Sequence, residues 1–238
     1  MVLKTRLLAA TVRLSTGAVR FADLSGRLIA AEKSIGGRSF EPAVFEGKPL
    51  WRIRQTFSTM RGEAIYGLGQ HQDGLVNYKG YRVDLFQNNT EVAVPFLVSS
   101  RNYGILWDNY SIGAAGDVRP YQPLSSLRLF SDKGEEGWLT ATYKSNGVGE
   151  VSQPASDIDY EWLGDSKRLL PAAFDAAKGS VVWEGALASG VTGLHVFRLK
   201  YAGYLKVYLD GQLMVDRWRQ AWNPGTALVR VPLEKGKR

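Results

Sequence analysis

The chain has 238 residues and no cysteine, with 30 Lys and Arg against 23 Asp and Glu, a formal net charge of +7. That length suits one large domain or two ordinary ones, with cores that need no disulfide staples. The basic residues are scattered along the chain instead of gathered into a run, which places a nucleic-acid binder last among the readings, and no apolar stretch reaches the length of a membrane span.

The chain opens on MVLKTRLLAATVRLSTG, where Leu8, Ala10, Val12 and Leu14 alternate and Arg13 interrupts them. This predicts a strand and no signal peptide. Period-two runs continue through Trp51, Ile53 and Phe57, through Tyr81, Val83 and Leu85, through Val92, Val94, Phe96 and Val98, and through Tyr103, Ile105 and Trp107. Each predicts a strand with one face inward. Turn signals such as Ser25-Gly26, Gly36-Gly37 and Gln72-Asp73-Gly74 separate them, and no helical period of convincing length precedes residue 130. Gly67-Leu68-Gly69 lacks the strand-to-helix context of a dinucleotide loop, so its glycines are expected to permit a bulge or a close approach of two backbones. Later, Asp210-Gly211 stands between Leu205, Val207 and Leu209 on one side and Leu213 and Val215 on the other, predicting a hairpin with a tight primed turn. The predicted fold class is all-β, with two antiparallel β-sandwich units, the second incomplete.

Few residues offer reaction chemistry. The chain has no G-x-S-x-G turn, and its two histidines, His71 and His195, make no nucleophile system. The acidic residues do not follow calcium-loop spacing, so no metal and no cofactor are expected. Whether two carboxylates stand at catalytic separation is a question of space that spacing in sequence does not answer.

The punctuation between Tyr66 and Ser111 is more specific. Tyr66-Gly67-Leu68-Gly69-Gln70, Asn77-Tyr78-Lys79-Gly80, Gln87-Asn88-Asn89-Thr90, Pro95 to Ser100 and Tyr103-Gly104-Ile105-Leu106-Trp107-Asp108-Asn109 resemble the N-terminal β-sandwich of glycoside hydrolase family 31, the retaining α-glucosidases and α-xylosidases. Farther along, Gly137 to Tyr143 and Val181 to Trp218 resemble the protective antigen 14-kDa-type β-sandwich, a module inserted in several glycosidases. The resemblance implies residues 1–135 as the galactose-mutarotase-like sandwich and residues 136–238 as a truncated module of the second kind. It also implies that the family's paired aspartates, which sit on a (β/α)₈ barrel, are not in this chain, so no catalytic residue is assigned and the chain alone is expected to be inactive.

By the same resemblance the parent is a retaining α-xylosidase acting on xyloglucan oligosaccharides, bacterial and periplasmic or secreted. Its partners are oligosaccharide, with neither nucleic acid nor membrane. The segment Gln87, Asn88, Asn89 and Thr90 then corresponds to a loop that lines the sugar site, although many relatives carry Arg-Asp there. The plainer reading is a polar connection between strands. Trp218 and Trp222 flank Arg219, Gln220 and Ala221 ahead of an Asn-Pro-Gly loop signature and are candidate stacking rings for sugar, whereas Trp183 sits in an alternating strand and is expected in the core. A rival reading takes the whole chain as a free-standing carbohydrate-binding module.

Overall fold

Alternation gives each strand one apolar face, and short turns let successive strands pair in opposite directions. The computed structural model describes residues 1–87, 89, 91–145, 147–160 and 169–238. Every strand ladder among them is antiparallel. They form two compact units, Met1–Val118 and Arg119–Arg238.

In the first unit, β1 (Val2–Lys4), β2 (Leu8–Val12), β3 (Val19–Asp23) and β4 (Leu28–Glu32) run as a meander. β5 (Arg38–Phe45) and β6 (Lys48–Gln55) leave it as a hairpin, after which β7 (Phe57–Ser58) pairs with β4. A carboxylate fixes the base of that hairpin. Buried Glu32 accepts hydrogen bonds from Arg38 Nη2 at 2.6 Å, from the Val19 N–H at 2.9 Å and from the Gln55 amide. Burial pushes the Glu32 carboxyl up, but Arg38, Val19 and Gln55 outweigh it and hold the pKa below the ordinary 4.5.

The rest of this unit holds β8 (Ile65–Gln70), β9 (Arg82–Leu85), β10 (Val92–Ser99), β11 (Tyr103–Leu106) and β12 (Gly113–Gly116), in sheets ordered β11-β10-β8 and β12-β9. Their core gathers Leu68, Tyr78 and Val83, flanked by Leu75, Leu85, Leu97 and Ala115. The close approach expected at Gly67-Leu68-Gly69 is present: all three residues have positive φ, and the β8–β10 register shifts between Ala93 and Leu97. A Cβ on Gly69 would stand 1.8 Å from the Val92 carbonyl oxygen, and one on Gly67 2.7 Å from that of Phe96. Leu68 has no glycine's freedom, and its φ of 65° costs about 1–2 kcal/mol. Its burial, at 2% exposure, offsets that by about 1.5–3 kcal/mol.

The alternation also misleads in one respect. Val92, Val94, Phe96 and Val98, the apolar set on β10, are 39–47% exposed, while Leu97 on the opposite face meets the core. Period two identifies an apolar face without saying what covers it.

In the second unit, β13 (Arg128–Phe130) comes first. β14 (Leu139–Ser145), β15 (Val148–Ala155) and β16 (Gly179–Glu184) then form a sheet ordered β15-β14-β16, and β17 (Ala186–Ala188) pairs back on β13. That pairing places Arg128–Phe130 in the second unit, which begins at Arg119. Trp183 packs, as expected, against the core of Ala141, Tyr143 and Ala155. Finally β18 (Gly193–Tyr201) pairs with β21 (Gly225–Leu233), and β19 (Gly203–Leu209) with β20 (Gln212–Arg219). Val215, Ala227, Val229 and Val231 form their core. Asp210 and Gly211 have φ of 48° and 77°, the two positive values that the predicted primed turn requires.

Candidate functional site

The first candidate is the connection between β9 and β10, whose ends are both tied down. Gln87 is exposed, and its Oε1 accepts the Ala93 N–H at 2.7 Å, closing the loop at its base. At the other end, Glu91 Oε1 accepts the Gln72 N–H at 3.4 Å, and its Oε2 lies 3.6 Å from His71 Nδ1. His71 Nε2 must be protonated, since it faces the Leu68 carbonyl oxygen at 2.9 Å and a carbonyl only accepts. Asn89 stands exposed in a turn between these anchors, and Asn88 and Thr90 lie outside the described residues. Gln87 thus shapes the loop through its carbonyl.

Nearby carboxylates and phenols are occupied by structural bonds. Buried Glu63 accepts from the hydroxyls of Ser99 and Tyr103, each at 2.6 Å, and from the Met60 N–H at 2.9 Å. Burial pushes its carboxyl up, and these three donors overcome that and leave the pKa below the ordinary 4.5. The Tyr103 hydroxyl is pushed up to about 12, first by burial and then by Glu63. Tyr78 also rises to about 12, through burial and the Asp73 carboxylate beside it. Sequence gave no sign of the Glu63 cluster, because Ser99 and Tyr103 stand 36 and 40 residues away.

The second candidate lies on the β19–β20 ribbon. Trp218 stands directly opposite Tyr204, with ring centroids 6.4 Å apart. Both are open to solvent, Trp218 at 56% and Tyr204 at 85% exposure. Trp222 is exposed in the turn after β20, where the Asn223 carbonyl accepts Arg219 Nε–H at 3.0 Å. The expected sugar contacts therefore fall into two sets, Gln87 and Asn89 in one unit and Trp218 and Trp222 in the other. Trp218 was legible as a loop-flanking aromatic, but its pairing with Tyr204 required the register.

One contact has the look of catalytic chemistry. Ser189 Oγ lies 2.8 Å from His195 Nε2, and His195 Nδ1 faces the Gly193 carbonyl oxygen at 3.1 Å. Ser189 is 2% exposed and its Oγ also accepts the Val191 N–H at 3.1 Å, so the pair braces a turn instead of meeting a substrate. Among the described residues, no three His, Asp or Glu side chains converge as metal ligands, and no helix is long and apolar enough to cross a membrane.

Residues 2–113 match the family model of the glycosyl hydrolase 31 N-terminal galactose mutarotase-like domain. Residues 2–113 thus carry the family 31 N-terminal domain, and the chain as a whole resembles the N-terminal part of such glycosidases. Over its whole length it is similar to the solved GH31 α-xylosidase of Xanthomonas citri, at 44% identity and a TM-score of 0.81, and covers 26% of that protein. It is 44% identical over 73 residues to an α-xylosidase of Saccharolobus solfataricus, a match covering 27% of this chain and 10% of the relative. A family 31 glucosidase of Pseudescherichia vulneris, itself uncharacterized, is 36% identical over 107 residues, 45% of this chain and 19% of its own length. The chain thus spans a minor part of each relative.

Proposed function

We propose that this chain supplies the N-terminal sandwich and the following module of a retaining α-xylosidase, and that the two shape the access of xyloglucan oligosaccharides to a barrel carried elsewhere in the parent. The observation that carries this reading is the similarity to the Xanthomonas citri α-xylosidase over 100% of this chain. The second unit is, in this proposal, the protective antigen 14-kDa-type module. Gln87 to Thr90 reach the sugar from the first unit, and Trp218 and Trp222 meet glycan from the second. The bonds of Gln87 to Ala93 and of Glu91 to Gln72 support a presenting role, since residues already bonded lose less freedom on binding.

The test compares two proteins on p-nitrophenyl α-xyloside: the 238-residue chain and the longer protein that contains it. The chain alone is expected to show no turnover, and the longer protein to hydrolyse the xyloside with retention at the anomeric carbon. Asn89→Ala in the longer protein is expected to lower kcat/KM by about tenfold, about 1.4 kcal/mol for one lost polar contact. Turnover that follows the purified chain, or a longer protein that leaves α-xylosides intact, overturns the proposal.

A further inference from the structure

We infer that the outer face of the β19–β20 ribbon is a binding platform for a neutral oligosaccharide, with Tyr204 and Trp218 as stacking rings and Lys206 and Asp216 as its hydrogen-bonding edge. The inference deepens the glycan-binding part of the function proposed above and is independent of which bond the parent cleaves.

Alternation divides β19 cleanly, while on β20 only Val215 is buried and the register shifts between Val207 and Tyr208. Leu205, Val207 and Leu209 on β19 and Val215 on β20 turn inward and join Phe197, Leu199, Tyr201 and Val229 in the core. Neither Tyr204 nor Trp218 belongs to that core, so the usual reason for a ring on a strand does not apply to them. The next outward rung holds Lys206 opposite Asp216, whose charged groups lie 3.6 Å apart and are about half exposed. Beyond it, Tyr208 is 57% exposed. With successive outward residues about 7 Å apart along β19, the series Tyr204, Lys206 and Tyr208 spans about 14 Å, the reach of an oligosaccharide more than of a single sugar.

The chemistry of this face selects its occupant. An apolar protein surface would have to desolvate the Lys206–Asp216 pair without new partners for either charge. A nucleic acid would meet a cation already neutralised by its neighbour. A neutral glycan fits both parts: its C–H faces lie on rigid aromatic rings, and its hydroxyls donate to Asp216 and accept from Lys206.

The experiment uses the 238-residue chain, titrated with xyloglucan heptasaccharide, cellotetraose, maltotetraose and free xylose, and followed by tryptophan fluorescence and backbone amide shifts. At least one of the three oligosaccharides is expected to bind with shifts centred on β19 and β20, and free xylose to bind far more weakly. Tyr204→Ala and Trp218→Ala should each weaken binding by about tenfold or more, Asp216→Asn by a few-fold, and Trp222→Ala by less than either ribbon ring. Thermal melts of the four variants check that the chain still folds. The inference is overturned if no oligosaccharide binds up to about 10 mM. It is equally overturned if Trp222→Ala abolishes binding while the ribbon variants retain it, or if Tyr204→Ala and Trp218→Ala instead dissolve a self-association of the chain. None of these results bears on xyloside hydrolysis by the longer protein, so the two proposals fail separately.

Discussion

Two hairpins in this molecule share a design and differ in what they do with it. In β5–β6, register sets Phe40 opposite Ile53, Pro42 opposite Trp51 and Val44 opposite Pro49, all on one face. The other face carries Glu41 paired with Arg52 at 3.8 Å, along with Lys48 and Arg54. Its turn, Glu46-Gly47, has two positive φ values, as does Asp210-Gly211 in β19–β20. Yet the apolar face of β5–β6 is open, with Trp51 at 64% and Phe40 at 62% exposure, whereas that of β19–β20 closes a core. A tryptophan therefore means different things on the two ribbons. Trp51 belongs to an unbroken apolar face of the kind that a macromolecular surface covers, while Trp218 shares a face with an ion pair.

The largest effect expected from this difference comes from placing a carboxylate on each apolar face. Val215→Asp puts an unpaired charge into the core of the second unit and should destabilise it by about 3 kcal/mol or more. Ile53→Asp puts the same group on a face where the native side chain is 47% exposed, and should cost under about 1 kcal/mol. Urea unfolding of both variants measures the contrast. Equal losses would mean that the β5–β6 face is as buried in solution as the other, and the comparison would collapse.

These two ribbons also mark how far sequence reading carries. Both turns and the strand periods follow from local rules, and so do the glycines of β8, since a lone G-x-G inside a strand leaves little but a bulge or a close approach. The family was legible in motifs that need no coordinates. What stayed hidden depends on pairing across distance. Nothing in the composition of Trp51 or Trp218 says which ribbon covers its apolar face, and the Lys206–Asp216 rung exists only once the register is known. The loop residues show the same limit: Gln87 was read as a sugar contact from its place in a motif, while its bond to Ala93 belongs to the backbone path that brings them together. Asn88 and Thr90 stay proposals.

A smaller effect follows from how the two ribbons are anchored. Glu32 holds both strands of β5–β6 through Arg38 and Gln55, and its carboxyl ionises below the ordinary 4.5 in the folded chain. A depressed carboxylate favours the folded state in full above the unfolded value, and that contribution is lost as pH falls through the folded one. Amide protection at Arg38 and Gln55, taken relative to the intrinsic exchange rate at each pH, should therefore fall as the solution is acidified below about pH 4.5, beyond any change at β19–β20, whose ion pair is exposed. Glu32→Gln should cost about 2 kcal/mol at neutral pH, the worth of hydrogen bonds to a charged group, and should remove that acid sensitivity at the hairpin base. Glu63, also depressed, leaves a separate acid dependence in the same unit. Unchanged protection at Arg38 and Gln55 across the acid range would show that Glu32 does not anchor the hairpin.

The smallest effect sharpens the comparison most, because it concerns the rung that sets the two ribbons apart. Lys206 and Asp216 are each about half exposed and 3.6 Å apart, a geometry in which attraction, side-chain ordering and solvent screening nearly cancel. Replacing both, as Lys206→Gln with Asp216→Asn, should shift stability by less than about 0.5 kcal/mol, with little dependence on added salt. Glycan affinity should nevertheless fall, because an amide in each position keeps the shape of the edge and removes its charge-assisted hydrogen bonds. A melt of the double variant beside the oligosaccharide titration reads both quantities on one protein. Should the double change cost well over about 1 kcal/mol and leave affinity alone, the pair is part of what holds β19 to β20, and the outer face of this ribbon is as structural as its inner one.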